Sequence, residues 1–226
     1  TIYDNIRKFI RYLLATNTGE IITMFLALLV GLRVPLLAIQ ILWINLVTDG
    51  LPAVALGFEP GEADVMKRKP RPPRESIFAQ GVGRHVIWVG IWLGVTTILG
   101  YVWALDQFPG GWHDPSDEAL TKARTVAFMI LALSQVAHVS AIHAGDASAL
   151  EAPLTRNKLL FGAVMLTAVL QFLAVFTPIG HTIFETTSLN ATELIIVLIL
   201  ASSVFFAVEF EKTLRRHGHL GGTTQT

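Results

Sequence analysis

The 226-residue chain is 52% hydrophobic and only 15% charged, has no cysteine, and balances 17 basic residues against 17 acidic ones. A soluble domain carries roughly 25% charged residues, so this composition excludes a disordered chain, a disulfide-stapled module and a thiolate metal site. The even charge balance excludes a partner such as nucleic acid bound through bulk charge.

A helix crossing a bilayer needs about 20 mostly apolar residues. Six segments meet or approach that length, at about 12–31, 35–56, 85–105, 124–143, 159–177 and 193–210. The expected fold is therefore all-α, a polytopic bundle of six transmembrane helices in a lipid bilayer. Four parts are expected: a first helical hairpin at 1–56, a Pro-rich basic loop at 57–84, a four-helix region at 85–212 and a tail at 213–226.

The first two spans are joined by Gly31-Leu32-Arg33-Val34-Pro35, short enough for a tight hairpin turn, with Pro35 suited to opening the second helix. The 57–84 loop holds Pro60, Pro70, Pro72 and Pro73, which preclude a regular helix. Its KRKPRPPR run reads either as a topogenic, headgroup-binding cluster or as a docking surface for a cytoplasmic domain. Trp103, near the end of the third span, fits an interfacial anchor, and 106–121 forms an acidic Gly/Pro-rich loop. Of the 17 Lys and Arg residues, all but Arg33, Lys122 and Arg124 fall on one side of the spans. Positive charge favours the cytoplasm, so both termini are expected there.

Ionisable groups inside hydrocarbon are costly and point to function. Glu20 lies in the first span and Asp49 in the second, with no Lys or Arg at similar depth. Such carboxylates would be protonated or would hold a cation. Asn17 shares a helix face with Glu20, and Asn45 and Thr48 share one with Asp49. Carboxylate, amide and hydroxyl oxygens in a flexible cage suit calcium better than magnesium. Gly50-Leu51-Pro52 follows Asp49, a sequence that disturbs helical hydrogen bonding and can expose carbonyls at an ion. The plainer alternative is that Asn17, Asn45 and Thr48 only hydrogen-bond helices together. Gln135 and His138 share a face of the fourth span beside Ser134, and neutral Gln and His often join helices. The remaining histidines, His85, His113, His143, His181, His217 and His219, sit at span edges or in loops without metal-ligand spacing.

The stretches YDNIRKFIRYLLATNTGE and LWINLVTDGLPAVALGFEPGEADVMKRKPRPP resemble the fifth and sixth transmembrane helices, and the loop after them, of type II P-type ATPases. The likeness is strongest to calcium pumps of the sarco/endoplasmic reticulum group and their bacterial relatives. It implies that the chain supplies the last six of ten membrane helices of an ATP-driven, calcium-transporting translocase. By position, Asn17 and Glu20 match calcium ligands of the fifth helix, and Asn45, Thr48 and Asp49 match those of the sixth, Asp49 being shared by two ion sites. Gln135 stands where the eighth helix of two-site pumps supplies a Glu, so one negative charge is lost there. Asn45 resembles the calcium pumps, since sodium/potassium pumps carry Asp at that place.

The resemblance further implies a parent in which Mg2+ and ATP serve cytoplasmic domains, with the phosphorylation domain docking near 57–84. These residues hold neither the DKTGT motif with its phosphorylated Asp nor the nucleotide domain. The start at Thr1 is therefore expected to be that of a fragment, inactive alone and lacking the N-terminal half of the pump. Proton countertransport is expected through Glu20 or Asp49, and the location is an integral, multi-pass membrane protein, in the plasma (inner) membrane if bacterial. The rival readings are a six-helix secondary cation transporter or channel, a P-type pump for another cation such as sodium, and a noncatalytic subunit of a separate ATPase.

Overall fold

The computed structural model describes residues 2–59, 76–78, 81–145, 147–152 and 154–216; among these there is no strand. Among the described residues, six helices are long and apolar enough to cross a membrane: α1 (Ile2–Leu29), α2 (Ala38–Gly57), α3 (Val82–Asp106), α4 (Asp117–Ile142), α5 (Lys158–Phe176) and α7 (Ala191–Arg216). A short α6 (Pro178–Phe184) lies between α5 and α7, with Thr177 capping its first turn. Most of the 57–84 loop, with the basic run expected to dock a partner, lies outside the described residues, as does the tail after Arg216.

Hydropathy placed the six spans but not all of their ends, because several ends carry charges that the fold satisfies. α1 begins near Ile2 rather than near residue 12, since Lys8 Nζ donates to the His143 carbonyl at 3.0 Å and Arg11 reaches His85. α7 runs to Arg216 rather than 210. Within it Lys212, only 2% exposed, donates to the carbonyls of Ala141 and Ala147 at 2.5 and 2.9 Å and pairs with Glu209 at 2.8 Å. α4 starts at Asp117, seven residues before the expected 124, where the Ser116 hydroxyl accepts from the Ala119 N–H and Asp117 and Glu118 complement the helix dipole. Pro35 does not open α2. The helix begins at Ala38, where the Gln40 side chain accepts from the Leu37 N–H and donates to the Phe184 carbonyl.

α4 is the axis of the bundle. Val126, Ala127, Phe128, Met129, Ile130, Leu131 and Ala132 are consecutive and all fully buried, so the middle of this helix presents no free face. Around it α3, α5 and α7 expose Ile87, Leu99, Val169, Ile199 and Phe206, as lipid-facing helices do.

α1 and α3 approach almost backbone to backbone. A Cβ on Gly90 would lie 2.5 Å from Thr18 Cγ2, and one on Gly94 would lie 2.4 Å from Ile22 Cγ2. Without a hydrophobic drive between helices in lipid, such small-residue contacts let dispersion hold them together. The contact fixes the turn of α1 that carries Glu20.

Candidate cation site

α1 and α2 form an antiparallel hairpin turned at Gly31, which takes a positive φ of 73°. The pairing is visible in its contacts, which run from Asn5 with Gly57, through Thr16 with Asp49, to Glu20 with Asn45. α2 is not uniform. It is α-helical at Ala38–Trp43, π-helical at Ile44–Asp49 and α-helical again at Gly50–Gly57. The chain thus answers Gly50 and Pro52 with a widened turn rather than an unwound break, a form that often marks functional sites. In an α-helical ladder the Thr48 carbonyl would accept from the N–H of residue 52, which proline lacks. The Tyr12 hydroxyl donates to that carbonyl instead, at 3.0 Å.

Five of the six predicted residues are linked by side-chain hydrogen bonds, Asn17 to Asp49 and both Asn45 and Gln135 to Glu20, while the Thr48 hydroxyl makes none. Asp49 Oδ2 accepts from Thr16 Oγ1 at 2.9 Å and from Asn17 Nδ2 at 3.3 Å. Glu20 accepts from Asn45 Nδ2 at 2.7 Å through Oε2 and from Gln135 Nε2 at 3.2 Å through Oε1. Thr48 and Gln135 are fully buried, Asp49 is 1% exposed and Glu20 6%. Asn17 and Asn45 are half-buried.

Three oxygens of this cluster have no hydrogen-bond partner: Asp49 Oδ1, Thr48 Oγ1 and Gln135 Oε1. Buried polar atoms are normally satisfied, so three unpaired oxygens on the predicted residues call for an explanation. All three can coordinate a hard cation. Among the described residues, no group of three or more His, Cys, Asp or Glu side chains gathers as a metal site. The cluster therefore depends on amide and hydroxyl oxygens as well as its two carboxylates.

His138 does not join the cluster. It turns to His85, with the two Nε2 atoms 3.1 Å apart. His85 sits in the first turn of α3, as its place at a span edge suggested, but it is fully buried and 2.6 Å from Glu211. Tyr12 and Thr16 were not singled out in the sequence, although with Glu20 they form a stripe at spacing four along α1, a signal that was available. Ser134 is buried without a partner for its hydroxyl.

Six membrane-length helices among the described residues, five of them set around the buried axial α4, define a multi-pass integral membrane protein. Residues 33–214 match the family described as "Cation transporting ATPase, C-terminus". The chain is 43% identical over 197 residues to the "Calcium-transporting ATPase" of Bacillus subtilis, covering 87% of this chain and 21% of that protein. It is 33% identical over 238 residues to the "Endoplasmic reticulum calcium ATPase srcA" of Aspergillus fumigatus, covering 96% of this chain and 24% of that one. To the "Calcium-transporting ATPase 1" of Bacillus cereus it is 35% identical over 207 residues, covering 88% and 23%. The chain belongs to the cation-transporting ATPase family, as the C-terminal membrane part. It spans between a fifth and a quarter of the length of these relatives.

Proposed function

We propose that this chain is the ion-binding membrane portion of an ATP-driven calcium pump, and that Asn17, Glu20, Asn45, Thr48, Asp49 and Gln135 supply oxygens to the transported ion. The observation that carries the reading is that Asp49 Oδ1, Thr48 Oγ1 and Gln135 Oε1 are buried without partners, with the Gln135 amide bonded to the carboxylate of Glu20. Two carboxylates offset the charge of one divalent cation, and neutral oxygens complete a coordination shell of six to eight. The names of the relatives, calcium-transporting ATPases in each case, support calcium as the cargo.

In this reading, ATP and Mg2+ act in cytoplasmic domains outside these residues. Phosphorylation there rearranges α1 and α2, and the ion leaves on the opposite face of the membrane. Two carboxylates left charged and empty in a low-dielectric site are costly, so protons replace the ion on the return. Both termini face the cytoplasm, and residues 57–84 dock the phosphorylation domain. The start of that loop is fixed to the bundle, which supports its role as a relay. Asn5 Nδ2 donates to the Glu59 carbonyl at 2.8 Å, and Asn157 Nδ2 donates to Glu59 Oε2 at 2.5 Å.

The test is calcium-activated phosphorylation of the ATPase that contains this region, carrying Asp49→Ala. The expected result is loss of calcium activation. Activation at the normal calcium concentration would sink the assignment, and activation by sodium in its place would replace the cargo.

A further inference from the structure

A second buried set of titratable groups lies at the end of the bundle where α1 and α3 begin and α4 and α7 finish. His85 and His138 are both fully buried there, their rings stacked at 5.3 Å between centroids and 23° between planes. Their Nε2 atoms are 3.1 Å apart, which demands one proton between two nitrogens: one ring donates and the other accepts. His85 Nδ1 lies 2.6 Å from Glu211 Oε2 and 2.7 Å from an Arg11 guanidinium nitrogen. Glu211 also accepts from Trp88 Nε1 at 2.9 Å and meets the Arg215 guanidinium. His138 Nδ1 has no partner, and its ring faces Tyr12 at 5.7 Å.

The groups facing the pair are Arg11 and Tyr12 from α1, and Glu211, Lys212 and Arg215 from α7, with Lys212 itself paired to Glu209. α3 and α4 contribute the two imidazoles. Cations thus outnumber carboxylates around the pair, so added positive charge meets repulsion.

We infer that His85 and His138 form a proton-binding clasp that fastens α3 to α4 while the pair is neutral and releases them when it takes up protons. The neutral pair holds a single Nε2 proton. One added proton occupies a bare nitrogen and still permits an Nε2–H···Nε2 bond. A second places a proton on both Nε2 atoms, and two donors cannot bond. The two imidazolium charges then face each other beside Arg11 and Arg215, with Glu211 opposing. His138 lies one turn from Gln135, the residue that reaches Glu20, so opening the clasp loosens α4 at the cation cluster. That consequence rests on the proposed function; the clasp itself does not.

The test uses the full chain in lipid nanodiscs, with thermal unfolding followed at about pH 7.5 and about pH 5.5, which bracket the ordinary imidazole pKa of ~6.5. The wild type should lose about 4 °C in Tm on acidification, the scale of one lost buried interaction in a chain of this size. His138→Gln keeps an N–H donor for His85 without a second titrating ring, and should cut that loss to half or less. His138→Phe should lower Tm at both pH values and flatten the dependence. A His138→Gln chain with the full wild-type pH slope overturns the proposal. If neither variant folds, 15N-histidine-labelled wild type decides the matter. A coupling between the two Nε2 nuclei across the hydrogen bond should appear at the higher pH, and its absence there overturns the clasp. Neither readout involves calcium, so this result stands apart from that of the transport assignment.

Discussion

Thr16 Oγ1 donates to Asp49 Oδ2 at 2.9 Å, from the centre of α1 to the last residue of the π-helical turn in α2. The bond fixes one carboxylate oxygen and leaves Oδ1 without a partner. Thr16 thus positions Asp49 while its own hydroxyl also contacts the Leu13 carbonyl at 3.0 Å. Thr16→Val keeps the shape and removes the donor. Cation activation of phosphorylation should then need about fivefold more cation, the equivalent of about 1 kcal/mol for one hydrogen bond. Thr16→Ser should restore it. An unshifted activation curve in Thr16→Val would show that Asp49 needs no such support.

Tyr12 bears on the backbone of the same turn. Its hydroxyl is the donor that reaches the Thr48 carbonyl. Tyr12→Phe removes that buried donor, a loss of about 0.5–1.5 kcal/mol. Amide hydrogen exchange should speed up around 48–53 and remain unchanged in α5. Uniform exchange across α2 would mean that another group takes over the bond.

Gln135 reaches Glu20 through its amide nitrogen at 3.2 Å, and its oxygen is unpaired. Gln135→Glu adds a third carboxylate to the cluster. Equilibrium binding of radioactive calcium should show higher affinity or an additional bound ion. Binding identical to wild type in both respects would leave Gln135 with a purely interhelical role.

Packing between α1 and α3 supplies a prediction independent of the ion. At Gly94 a Cβ would meet Ile22 Cγ2 at 2.4 Å and Cβ at 2.9 Å, while at Gly162 nothing lies within 4 Å. Gly94→Val should destabilise the bundle by about 1–3 kcal/mol through overpacking, seen as a lower Tm in detergent. Gly162→Val should leave Tm nearly unchanged. Equal effects at the two positions would contradict the close approach.

Much of the candidate cluster was legible along the chain because its residues obey helical spacing. Glu20 and Asn17 lie three apart on α1, and Asn45, Thr48 and Asp49 keep three and four on α2, so each face could be drawn without coordinates. Gln135 was reached only through a family resemblance, and its contact with Glu20 joins residues 115 positions apart. The π-helical form of Ile44–Asp49 was hinted at by Gly50 and Pro52, but the partner that accommodates it, Tyr12, belongs to another helix. The ends of α1 and α7 were misplaced because charge argues against a buried helix until its partner is known. Lys212 is buried only because Glu209 and the carbonyls of Ala141 and Ala147 receive it.

By itself the sequence determined that the chain is an all-helical membrane bundle, that there are six spans, and that two carboxylates lie deep within it. Hydrophobic length and helical periodicity are local properties, written in consecutive residues. Which oxygens are committed and which stay unpaired, and the pairing of His85 with His138 across 53 positions, were decided only by the tertiary structure. Hydrogen-bond satisfaction and burial depend on what other helices bring to the same place, and no single segment carries that information.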